Sequence, residues 1–274
     1  MIKRPIILFV FLWITPFFSP AQDNLNVWQS APVKIDGLSD EWIDNLRYYD
    51  NETLLYYGIT NDENNLYLCF FTANQMMQMK MFRSGVTIEL KTKTKPKRTA
   101  FIVYPKKDTT TFQMRSKPTE GEAQGEKPQG QNTGGQGRNM TKRFLENNPT
   151  IVSEGFVTLN GTYPTLNEKG ISLAINWDEN RRMSYEIVIP LNELFGDGFS
   201  LDEISKNEIK LKVTIDAMEM PSQSGQRPAS GQPGGHMPQG GNQGQGAGGQ
   251  TQEDRAFLFQ LQTLNYQFLL NKKN

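Results

Sequence analysis

The sequence predicts an all-β fold: an antiparallel β-sandwich with short connector helices. Three observations carry that expectation. Many short segments alternate apolar and polar residues with a period of two. Clusters of Asn, Asp, Gly and Pro punctuate them as turns. Two long Gly/Gln-rich tracts interrupt strand-like sequence, which makes them loops within one domain.

The elements follow in order. Leu54 to Ile59 and Leu66 to Phe71 are apolar runs joined by Asn61-Asp62-Glu63-Asn64-Asn65, a hairpin with a polar turn. Val86 to Leu90 alternates strictly. Phe101 to Tyr104 is the next strand, and Phe112 to Arg115 continues that hairpin. Ile151-Val152 and Phe156 to Leu159 give two more. Ile171 to Trp177, Ser184 to Ile189 and Ile209 to Ile215 each place their apolar residues on one face. Phe257 to Leu264 closes the set. The helical signals mark connectors: Gln75 to Phe82, Pro190 to Phe195 with Pro in the first turn, and Ser200 to Glu203 with capping-box spacing.

Composition bounds the function. The chain has 274 residues, with 29 basic and 29 acidic side chains, one Cys and one His. That balance gives nucleic acid no electrostatic reason to bind. A single Cys excludes an internal disulfide framework and any multi-Cys metal site. The one His, His236, lies in a Gly/Gln/Pro tract, a poor place to hold a catalytic base. No Gly-rich phosphate loop follows a strand, and no motif marks a carboxylate pair for glycoside hydrolysis.

Residues 1–21 read as a secretory signal. Lys3 and Arg4 form the positive region, Ile6 to Phe18 the apolar core, and Ser19-Pro20-Ala21 the cleavage site. The apolar run is too short to span a bilayer, and no membrane span follows it. Loss of Lys3 and Arg4 leaves a mature net charge of about −2. The expected location is periplasmic or extracellular. Residues 22–274 then form a single domain with insertions at 116–143 and 221–252. These tracts hold 16 of the 24 glycines and cannot bury enough apolar surface to offset their ordering entropy, so both are expected to be disordered. A second domain after the later tract is disfavoured, because only 22 residues follow it.

Three segments form an ordered set. Val33-Lys34-Ile35-Asp36-Gly37 leads through Leu38-Ser39-Asp40-Glu41 to Trp42. Tyr56 to Leu68 carries the hairpin and its acidic turn. Met183-Ser184-Tyr185-Glu186-Ile187-Val188-Ile189-Pro190-Leu191 precedes a strand that ends in Thr214-Ile215-Asp216. This set resembles carbohydrate-binding module family 9, related to DOMON-like domains, over most of residues 30–219. The resemblance implies an antiparallel β-sandwich of jelly-roll-like form that acts as an exported, non-catalytic binding module whose ligand is a carbohydrate. Sugar-binding members use two Trp residues as a clamp. This chain has Phe82-Arg83-Ser84-Gly85 where the first belongs, and the Gly/Gln tract where the second belongs.

Phe82, Arg83 and Trp177 are therefore the ligand-binding candidates. Phe82 offers a stacking face, and Arg83 can donate paired hydrogen bonds to hydroxyls. Trp177 alternates with core residues but borders the turn that starts at Asp178. Trp42 reads as a core plug beneath the Asp-Gly turn, and Cys69 as a small buried hydrophobe. Asp36, Asp40 and Asp62 lie in oxygen-rich turns that suit a structural Ca²⁺ ion. The competing reading is a pair of solvated turns whose Asp and Asn bond the backbone. Met76, Met77, Met79 and Met81 could bind soft metal but fit core packing better. The alternative to a glycan-binding module is an envelope scaffold with a protein partner, keeping the fold without a sugar site.

Overall fold

The computed structural model describes residues 26–42, 44–106, 144–168, 170–219 and 256–273. Residues 1–21, expected to be a signal, the segment Phe112 to Arg115, expected to continue a hairpin, and the two Gly/Gln-rich tracts lie outside the described residues. What is described is an all-β sandwich of two sheets. The first contains β1 (Asn26–Trp28), β2 (Tyr48–Asp50), β3 (Leu55–Asn61), β4 (Asn65–Thr72), β9 (Ser172–Trp177) and β10 (Met183–Pro190). Its order is β1-β3-β4-β10-β9, with β2 on the same edge of β3 as β1. The second contains β5 (Val86–Thr92), β6 (Thr99–Val103), β7 (Thr150–Glu154), β8 (Gly161–Pro164), β11 (Ile209–Ile215) and β12 (Gln262–Phe268), in the order β12-β11-β5-β6-β7-β8.

The expected β3–β4 hairpin forms around its polar turn. Asp62 Oδ1 accepts from the amides of Asn64 and Asn65, each at 2.7 Å. One pairing departs from an all-antiparallel sandwich: β1 runs parallel to β3. The chain leaves β1, crosses the outer face of the first sheet and returns as β2, which pairs antiparallel with β3 along the same edge. Two expected strands are displaced. Residues 156–159 bend, because Glu193 accepts from the amides of Thr158 and Leu159, and Asn160 exchanges hydrogen bonds with Phe156. Side chains thus take the backbone groups a ladder would use, and the strand begins later as β8. Near the end, residues 256–258 form a helical turn and the strand shifts to β12.

α1 (Gln75–Ser84) carries the chain from the first sheet to the second. Asn74 caps it by accepting from the Met77 amide, and Met77 and Met81 enter the core. The thioethers of those two therefore serve packing. α2 (Leu191–Phe195) follows Pro190 as expected. α3 (Leu201–Ile204) follows Ser200, whose side chain makes no capping bond, so the capping-box spacing is not used as one. No helix among the described residues is long and apolar enough to cross a membrane.

The core lies between the sheets. Leu66, Leu68 and Phe70 of β4 and Tyr185, Ile187 and Ile189 of β10 face Val86, Ile88 and Leu90 of β5 and Leu211 and Val213 of β11. The Tyr185 hydroxyl donates across it to the Tyr104 carbonyl at 2.9 Å. Tyr185→Phe leaves that buried carbonyl unpaired, and urea unfolding should show a loss of about 1–3 kcal/mol with an unchanged m-value.

Lys80, fully buried on α1, holds the start of the last segment. Its ammonium donates to the carbonyls of Phe257 and Gln260, and burial lowers its pKa to about 8. The folded chain therefore gives up this proton before the unfolded chain does. Lys80 should make stability rise as pH increases from about 8 toward the ordinary lysine value. Urea midpoints across that range should show a steeper rise for the wild type than for Lys80→Met.

Candidate functional site

β4 is apolar on both faces. Its outward residues Tyr67 and Cys69 must be covered, and the segment 33–47 does so as a strap. Val33, Ile35, Trp42 and Leu46 pack on Tyr67, Cys69 and Val188. Trp42 is 1% exposed and sits over Gly58, where a Cβ would lie 3.1 Å from the indole. The core-plug reading of Trp42 thus matches its place, although the core it fills is the outer one. Cys69 is fully buried in the same cluster, and burial, then the neighbouring Glu186 and Glu41, push its thiol well above the usual value.

The strap's turn rests on the first sheet at one glycine and one carboxylate. Gly37 has φ +79°, and a Cβ there would stand 2.7 Å from the backbone of Ile175 and Asn176. Its amide donates to Glu186 Oε2 at 2.7 Å, and the Asp36 amide donates to the same oxygen at 3.1 Å. Glu186 is fully buried. Burial pushes its pKa up to about 7 against those two amides, with the charges of Asp36 and Glu41 adding to the rise. Its Oε1 has no hydrogen-bond partner among the described residues. Carboxylate oxygens of Asp36, Glu41 and Glu186 lie within 4.8 Å of one another.

Register explains what the strap leaves open. Across the outer face, Tyr49 pairs with Tyr56, Tyr56 with Phe71, Phe71 with Ser184 and Ser184 with Asn176. The next row is Gly58, Cys69, Glu186 and Ala174, which the strap covers. The first row borders a groove of about 290 Å³, lined by Tyr56, Phe71, Ser184 and, from the strap, Gly37 to Asp40. Tyr49 and Tyr56 are 44% and 41% exposed, with ring centroids 4.7 Å apart. Arg182 lies over the Phe71 ring, 5.3 Å from its centroid, and is paired with Asp178. Burial works against the Asp178 carboxylate, but hydrogen bonds from the Arg182 backbone and guanidinium hold its pKa below the usual value.

No protein-family model matches the chain, and no curated protein matches it. A solved structure is similar in part. It is a carbohydrate binding module family 9 protein from Caldicellulosiruptor kristjanssonii in complex with glucose, with 10% identity and a TM-score of 0.31. The match covers 71% of this chain and 79% of that one.

The residues singled out from sequence are dispersed. Phe82 and Trp177 do meet, stacked with centroids 5.0 Å apart, and Phe144 packs edge-on against Phe82 at 4.3 Å. Trp177 Nε1 donates to Gln78 Oε1 at 3.0 Å. These rings spend their faces on one another, and Arg83 is exposed on the same helix. Of the expected metal ligands, Asp36 joins Glu41 and Glu186, Asp40 lines the groove, and Asp62 serves the β3–β4 turn while accepting from the Tyr67 hydroxyl at 2.6 Å. Asp40 and Asp62 thus stand outside the acid group, because each belongs to a different local structure. Tyr49, Tyr56, Asp178 and Arg182 were not singled out. Their signal was the Tyr48-Tyr49 and Tyr56-Tyr57 doublets: on a strand, consecutive rings take opposite faces, so one of each pair turns outward.

Gly37→Ala combines a left-handed backbone with a backbone clash, whereas Gly196, at φ +87°, has nothing within 4 Å. Gly196→Ala should cost about 1–3 kcal/mol from conformation alone, and Gly37→Ala clearly more. Equilibrium unfolding of the two variants side by side tests the close seating of the strap.

Proposed function

We propose that the chain is an exported, non-catalytic binding module whose outer-face groove takes a carbohydrate. The observation that carries this reading is the exposed Tyr56 ring, packed against Tyr49 and lining one groove with Arg182, Asp178 and Asp40. An exposed aromatic ring matches the apolar face of a sugar ring, and a guanidinium and carboxylates beside it can bond its hydroxyls. The strap side and the strand side are both anchored, so the groove is largely preformed, which limits the ordering cost of binding. At about 290 Å³ it suits a small ligand or the end of a longer chain better than a long stretch of polymer. Export rests on the N-terminal charge, apolar run and small-residue cleavage site.

A glycan array and polysaccharide pull-down with the chain from Gln22 onward tests this reading. Retention on a sugar should be lost in Tyr56→Ala and reduced at least tenfold in Arg182→Ala. Phe82→Ala should keep it. If Phe82→Ala abolishes retention and Tyr56→Ala does not, the ligand sits at the α1 aromatic cluster. Retention on no sugar removes carbohydrate binding and turns attention to protein partners of the envelope.

A further inference from the structure

We propose that Asp36, Glu41 and Glu186 form a Ca²⁺ site that pins the strap to the first sheet. Three carboxylates from two distant segments converge here, with ligand oxygens within 4.8 Å of one another. Like charges this close disfavour their common ionised state unless a cation joins them. Lys34 neutralises part of the charge through Asp36 at 2.8 Å, but its side chain is 76% exposed and does not enter the group.

The second observation is Glu186 itself. It is fully buried, two amides occupy Oε2, and Oε1 is without a hydrogen-bond partner among the described residues. A buried carboxylate oxygen with nothing to accept from is costly, and a cation is one partner that satisfies it. Ca²⁺ suits such a site better than Mg²⁺, because it accepts irregular sets of oxygens at about 2.3–2.6 Å, whereas Mg²⁺ demands a near-ideal octahedron at about 2.0–2.1 Å. The exposure of Glu41 leaves one side of the site open to water, which Ca²⁺ accepts among its six to eight ligands.

The site differs from the one expected from turn composition. Asp36 is common to both, but the other two ligands come from the strap's 3-10 turn and from the middle of β10. The ion would bridge the two elements that the Gly37–Glu186 hydrogen bond already joins.

The inference does not rest on the carbohydrate reading, and its test contains no sugar. The chain from Gln22 onward, stripped with chelator, is titrated with CaCl₂ or MgCl₂ and followed by calorimetry and thermal unfolding. Ca²⁺ should bind with one site and raise the melting temperature, and Mg²⁺ should bind at least tenfold more weakly. Glu41→Gln, at an exposed position, should fold normally and lose at least tenfold in Ca²⁺ affinity. Asp36→Asn should do the same. Absence of heat and of any melting shift at millimolar Ca²⁺ would overturn the site. Undiminished Ca²⁺ binding in both variants would overturn its location.

Discussion

The double-sided burial of β4 is the constraint on which the rest of the structure depends. Leu66, Leu68 and Phe70 face the sandwich core, while Tyr67 and Cys69 face away from it and are equally buried. A strand apolar on both sides needs a layer on each side. The second sheet supplies one. The strap at 33–47 supplies the other, and Gly58 lacks a side chain where Trp42 must come close. β1 and β2 meet the same edge of β3 in opposite senses, one parallel and one antiparallel, with the strap between them.

Covering that face with irregular backbone creates a second demand. The strap's amides leave water and must find acceptors. Glu186 meets two of them from the centre of the sheet, at the price of a carboxylate in a dry setting with Asp36 and Glu41 beside it. The hydrogen bonds and the like charges act on the same group in opposite directions. The proposed cation would resolve that conflict, and the buried amides explain why an acidic residue stands among the apolar residues of β10.

The groove lies where the strap ends. It covers the row of Gly58, Cys69 and Glu186 and stops short of the row of Tyr49, Tyr56 and Phe71, so the open site is bounded by the cover itself. Anchoring the Asp36–Gly37 turn therefore also positions one wall of the groove. The Phe82–Trp177 cluster has a different character. Its rings pack on each other and on Phe144, and Gln78 holds the indole, so it consolidates the end of the sandwich around α1.

The sequence by itself determined the fold class, the β3–β4 hairpin, the strands at Val86, Ile209 and Ser184, and the buried places of Trp42 and Cys69. Each depends on local periodicity or on a turn whose residues bond their own backbone, so each is written in neighbouring letters. The strands near Phe156 and Phe257 were misplaced because Glu193 and Lys80, from distant segments, bond the backbone there. The site was the least legible part. The family resemblance pointed to Phe82, a neighbouring turn pointed to Trp177, and turn composition pointed to Asp40 and Asp62. Only the tertiary structure brought Glu41 to Glu186 and left Tyr56 open beside Arg182, with Tyr49 packed against it, because register across five strands and the path of the strap decide which side chains converge.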